Sequence, residues 1–161
     1  MKILSAIAAA LPVCMLVVSC SHPTTPPPGP HPSSDAFTVA ATIDGTPYSA
    51  GATMTVAPIP SNYLVDLKST SGGRSLELIF IFPTNATFPK NLTQSQFNST
   101  YNESNASFQD SAATASVTVN SFTYSYADTT FSADFSFKAP GGANGGTISI
   151  KNITGGTVRT N

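Results

Sequence analysis

The chain has 161 residues, of which 9% are charged, against about 25% in an average soluble protein. Seven Lys plus Arg against eight Asp plus Glu leave a net charge of −1, which excludes a basic nucleic-acid footprint and a polybasic membrane patch. A 40% hydrophobic content also excludes a charge-rich disordered chain, and the length suits one domain once targeting and linker segments are set aside.

Residues 1–19 read as a secretory signal: Lys2 precedes an uncharged apolar stretch from Ile3 to Val18. The stretch is shorter than the about 20 residues a spanning helix needs, and Pro12 interrupts it. Its end, Val17-Val18-Ser19-Cys20, resembles a bacterial lipobox. That resemblance implies cleavage before Cys20, a diacylglycerol on its thiol and an acyl chain of the palmitate class on the new amino group. Acyl chains hold a protein on a bilayer because each buried CH₂ contributes about 0.8 kcal/mol. The competing reading is an ordinary cleavage site with a coincidental Cys, but Cys20 stands at the one place where cleavage is expected. Cys14 lies inside the signal, so the remainder of the chain has no disulfide framework, thiolate metal site or Cys nucleophile.

Residues 20–35 form the lipidated Cys and a tether, SHPTTPPPGPHPSSD from Ser21 to Asp35. Such a proline-rich run favours extended polyproline II and spans up to roughly 45 Å at about 3.1 Å per residue. Both histidines, His22 and His31, lie here. Two His in a spacer make a weak metal site, and a solvated tether is the expected role.

From residue 36 to 161 the pattern changes to period-two alternation, the strand signal. Phe37, Val39, Ala41 and Ile43 share one face, and Asp44-Gly45 marks a tight hairpin turn. Ala52, Met54 and Val56 alternate with threonines until Pro58 and Pro60 are expected to stop the run. Tyr63, Val65 and Leu67 follow, then a turn at Ser71-Gly72-Gly73. Leu76, Leu78, Phe80 and Phe82 face one way and Ile79 and Ile81 the other, which suggests a central strand covered on both sides. Residues 85–113 read as an irregular polar loop with short strands, anchored by Phe88, Phe97, Tyr101 and Phe108. Val117 and Val119 are out of phase with Phe122, Tyr124 and Tyr126, which implies a bulge or turn at Asn120-Ser121. Phe131, Ala133, Phe135 and Phe137 form the cleanest strand, and Ile148 and Ile150 open the last. No window has a helical period. Seven to nine short strands point to an all-β fold, an antiparallel β-sandwich or a barrel-like domain.

The lipobox and tether, with FTVAATIDGTPY at 37–48, SVTV at 116–119, FSADFSFKA at 131–139 and GTISIKN at 146–152, look like small uncharacterised lipoproteins of Bacteroidetes-type Gram-negative bacteria. The resemblance implies a single all-β domain, lipid-anchored at the outer membrane, and carries over no catalytic residues. Members displayed on the outer face usually have acidic residues just after the lipidated Cys. Here Ser21-His22-Pro23 stand instead, so outer-face display is not implied.

Residues 36–161 contain no His or Cys, which removes the Ser-His-Asp triad and the commonest metal ligands. No cofactor is implied. The carboxyl groups that a glycoside hydrolase would need are Asp44, Asp66, Glu77, Glu103, Asp110, Asp128 and Asp134. Asp44 reads as a turn residue, and Asp66, Glu77 and Asp134 as polar strand faces, so a non-catalytic role is expected. Phe122, Tyr124 and Tyr126, flanked by Asn120 and Asp128, form a stripe able to stack on sugar rings; the alternative is that they pack the core. Six Asn-x-Ser/Thr triplets, at Asn85, Asn91, Asn98, Asn102, Asn105 and Asn152, follow largely from composition. Asp110-Ser111-Ala112 and Asp128-Thr129-Thr130 resemble the bacterial O-glycosylation motif, which implies Ser111 and Thr129 as acceptors. The expectation is a membrane-anchored module binding a glycan or an envelope protein. The alternatives are a structural envelope lipoprotein and a carboxylate-dependent hydrolase.

Overall fold

The computed structural model describes residues 36–110, 114–125, 128–142 and 149–161. The signal segment, Cys20, the tether with His22 and His31, Ser111, Tyr126 and Ile148 lie outside them. Ten strands follow in order among the described residues: β1 (Phe37–Ile43), β2 (Thr46–Ile59), β3 (Asn62–Ser71), β4 (Arg74–Pro83), β5 (Lys90–Asn91), β6 (Phe97–Glu103), β7 (Ala106–Gln109), β8 (Ser116–Tyr124), β9 (Thr129–Gly142) and β10 (Ser149–Thr160). Among the described residues the one helical element is a 3-10 turn at Gln94–Gln96. All strand pairings are antiparallel.

The sheet closes on itself. Its order runs β10-β1-β2-β3-β4-β6-β7-β9, and β9 pairs back onto β10. The fold is therefore all-β and barrel-like, an eight-stranded ring to which β8 and β5 are added. β9 is long enough to serve two neighbours on one edge: Gly141 and Gly142 pair with β7, while Thr129 to Ser136 pair with β8. A ring of eight strands leaves an interior just wide enough for side chains to fill. Alternate residues fill it, with Phe37, Tyr48, Leu67, Phe80, Tyr101 and Phe131 almost fully buried. Rings meet across the interior, Phe80 and Phe131 at 5.0 Å and Phe97 and Phe137 at 5.8 Å between centroids.

Turn chemistry sets the connections. Asp44 and Gly45 have φ of 47° and 80°, and Gly72 and Gly73 have 57° and 76°, the paired positive values of the hairpin turn that matches strand twist. Between β2 and β3, Pro60 is followed by Ser61 at φ 63°, the order a type II turn requires. At the Asp44 end of the barrel, Lys151 bridges Asp44 at 3.3 Å and Glu103 at 2.8 Å. There too Tyr48 Oη meets Ser69 Oγ at 2.9 Å, and Ser69 donates to the Leu76 carbonyl.

Several expectations change. Pro58 does not stop β2, which runs on to Ile59. β1 pairs with β2 only as far as Ala52, so among the described residues no strand pairs with that edge beyond it, and a missing N–H breaks no ladder bond there. The short strands expected within 85–113 are present at 97–109, where they pair as a regular hairpin, β6–β7, that forms part of the ring wall. Ile79 and Ile81 are half-buried on the outer face, with Ile81 opposite Leu64 in the same sheet. Among the described residues no second layer covers them. Ile150 is 56% exposed and off the core face.

Candidate functional site

The expected bulge in β8 is present. Val119 lies opposite Ala133 and Ser121 opposite Ser132, so Asn120 is the extra residue. The insertion moves Phe122 and Tyr124 onto the face that Val117 and Val119 occupy before it. Both stripe residues therefore turn toward the barrel interior, at the end opposite the Asp44 turn.

The ring wall is incomplete there. β4 pairs with β6 only from Arg74 to Phe80, so among the described residues no strand pairs with Ile81 to Pro83 on that edge. β8 meets β5 at Thr118 and Val119 alone. Aromatic side chains occupy the seam between these two edges. Phe122 stands 5.0 Å from Phe82 and 5.2 Å from Tyr63. Tyr124 lies edge-on to Tyr63 at 5.8 Å and parallel to Phe122 at 6.3 Å. Phe88, from the loop after β4, meets Phe82 at 5.6 Å. With Pro83, Thr84 and Ala86 these rings line a cleft of about 190 Å³. That is below the about 300 Å³ at which small-molecule sites begin, so the cleft suits one sugar ring or one side chain of a partner.

The stripe thus divides. Phe122 is half-buried against the core, whereas Tyr124 is 38% exposed at the rim. Tyr126 lies outside the described residues. Tyr63, Phe82 and Phe88 join the site from elsewhere; Tyr63 and Phe82 face each other across β3 and β4. The expected flanking groups do not join it. Asn120 donates to Asp134 Oδ2 at 2.8 Å on the outer face, and Asp128 is held in the hairpin turn by Ser125. Thr129 begins β9 directly opposite Tyr124 and is half-buried.

The carboxylates are spread over the barrel. Asp44 and Glu103 share Lys151, Asp134 pairs with Arg159 at 2.6 Å, and Lys68 bridges Asp66 at 3.3 Å and Glu77 at 2.9 Å. Burial holds the Asp66 and Asp110 carboxyls above their ordinary range. The Lys151 ammonium holds Glu103 below it, and Arg159 with Asn120 does the same for Asp134. Among the described residues no group of three His, Cys, Asp or Glu gathers as a metal site. No family model, no curated protein and no solved structure matches the chain.

Proposed function

We propose that the chain is a lipid-anchored cell-envelope protein of a Gram-negative bacterium that works as a non-catalytic binding module. The observation that carries the binding role is the aromatic seam. A filled barrel has no need of an exposed Tyr124 over a cleft, yet three rings from β3, β4 and the following loop converge with Phe122 to build one. Flat apolar faces that end in a phenol suit the CH face and the hydroxyls of a glycan, and equally an aromatic or aliphatic side chain of an envelope protein. The anchoring rests on Lys2, the apolar run and Cys20. O-glycans on Ser111 and Thr129 remain part of this proposal, and intact mass equal to the bare lipidated chain excludes them.

Two experiments test the reading. Cys20→Ser should move the protein from the membrane to the soluble fraction and abolish acyl labelling; retention with the membrane refutes the anchor. Glycan-array screening and co-purification from membranes, run with the native protein and with Tyr124→Ala, test the seam. A signal lost in the folded variant supports it, signals equal in the two proteins place the binding away from the seam, and no signal with either protein moves the assignment to a structural envelope role.

A further inference from the structure

A second concave surface lies on the outside of the barrel, away from the aromatic seam. Across β8, β9 and β10, Thr118 and Thr157 stand on either side of Asp134, and Ser116 lies opposite Ser136. On its other side Ser136 faces the β10 bulge between Ile153 and Gly156, where Gly155 takes φ 57°. Short side chains at Ser116 and Ser136, and none at Gly155, leave the middle of this face low. A groove of about 310 Å³ results, which reaches the size of small-molecule sites that begin at about 300 Å³.

The groove has one charged acceptor, and its setting selects the ligand class. Asp134 Oδ1 accepts from Arg159 Nη2 at 2.6 Å and Oδ2 from Asn120 Nδ2 at 2.8 Å. Each carboxylate oxygen keeps a further lone pair, so Asp134 is oriented yet still able to accept. Arg159 is not a free anion fork, because its Nη1 donates to the carbonyls of Ala133 and Val158 at 2.9 and 2.8 Å. The pair is charge-balanced, and the hydroxyls of Ser116, Thr118, Ser136 and Thr157 line the groove with its carboxylate, together with Phe135, Gly155 and Gly156. Asn120 and Gly155 both belong to bulges, one on each side of β9, and bulges are over-represented where a sheet aims side chains at a site.

We propose that this groove binds a neutral saccharide, with sugar hydroxyls donating to Asp134 and to Thr118 Oγ1, which itself donates to Asn91 Oδ1 at 2.7 Å, and exchanging hydrogen bonds with the hydroxyls of Ser116, Ser136 and Thr157. The proposal rests on the reading of the chain as a binding module, but on different residues from the aromatic seam, so the two can fail separately.

NMR titration of the detergent-solubilised, ¹⁵N-labelled protein with maltohexaose, cellohexaose and mannohexaose tests it. The expected result is saturable shifts of the Thr118, Asp134, Ser136 and Thr157 amides with at least one of the three. Ser136→Leu, which fills the depression from an outward position, should weaken that binding at least about tenfold, the loss expected when roughly one hydrogen bond to a charged acceptor is blocked. Its melting temperature should stay unchanged. Absence of shifts with all three sugars, or unaltered affinity in folded Ser136→Leu, overturns the proposal. Shifts confined to Tyr63, Phe82, Phe122 and Tyr124 overturn it too, while leaving the seam as the binding site.

Discussion

Asp66 places one carboxyl oxygen where it is buried and, among the described residues, unpartnered, while the other meets Lys68 at 3.3 Å. Burial outweighs that ion pair and holds its pKa above the ordinary value. A raised carboxyl pKa means that ionisation costs stability in the folded state, at pH values above the ordinary carboxylate range. Asp66→Asn should therefore raise the melting temperature at pH 7, and the gain should shrink as pH falls toward 4, about the ordinary Asp value. Calorimetry across that range checks it. Aromatic residues divide by position in the same way. Phe131, fully buried against Phe80 and Phe122, should cost about 3–5 kcal/mol on truncation to Ala. Tyr124, at the rim with two ring neighbours, should cost about 1 kcal/mol. Denaturant titration of the two variants separates a core role from a surface role, and comparable losses would remove Tyr124 from the binding face.

Bulges and turns decide the elements. The bulge at Gly155 lets β10 run unbroken from Ser149 to Thr160 while Ile153, Gly156 and Val158 all face inward. Gly156 lies directly against the Phe135 ring, and a Cβ there would overlap it. Gly156→Ala should destabilise by about 1–3 kcal/mol, the range for overpacking, and Phe135→Leu in the same chain should recover part of the loss. Equilibrium unfolding of the single and double variants measures both. The β8 bulge and the hairpin turns were legible because Asn120-Ser121, Asp44-Gly45 and Gly72-Gly73 act through local backbone geometry. Short strands anchored by Phe97, Tyr101 and Phe108 were legible too, but not their pairing as the β6–β7 hairpin. Phe97, Ser99 and Tyr101 alternate inward, but Ser99 is a buried polar residue that interrupts the apolar pattern. Its neighbours Asn98, Thr100 and Asn102 read as loop. The signal was the two-residue turn at Ser104-Asn105, with φ of 48° and 70°.

Across the whole molecule, Lys151 ties β10 to the β1–β2 turn and to the end of β6. Glu103 folds with a lowered pKa, so its contribution is present above its ordinary 4.5 and lost as pH falls through the lower folded value. Lys151 folds with a raised pKa, so its contribution is present below its ordinary 10.5 and lost as pH rises through the higher folded value. Lys151→Met should lower stability across the neutral range by under about 1 kcal/mol, as for other surface pairs. The difference from the native chain should fade at both extremes, which thermal unfolding against pH tests. By itself the sequence determined the all-β class, most strand faces and the tight turns, because alternation and turn residues act over a few neighbours. Closure of the ring, the open seam at β4 and β8, and the meeting of Tyr63, Phe82 and Phe88 with Phe122 were decided only in the tertiary structure. They depend on which distant strands pair and where each pairing stops, and no local period encodes that.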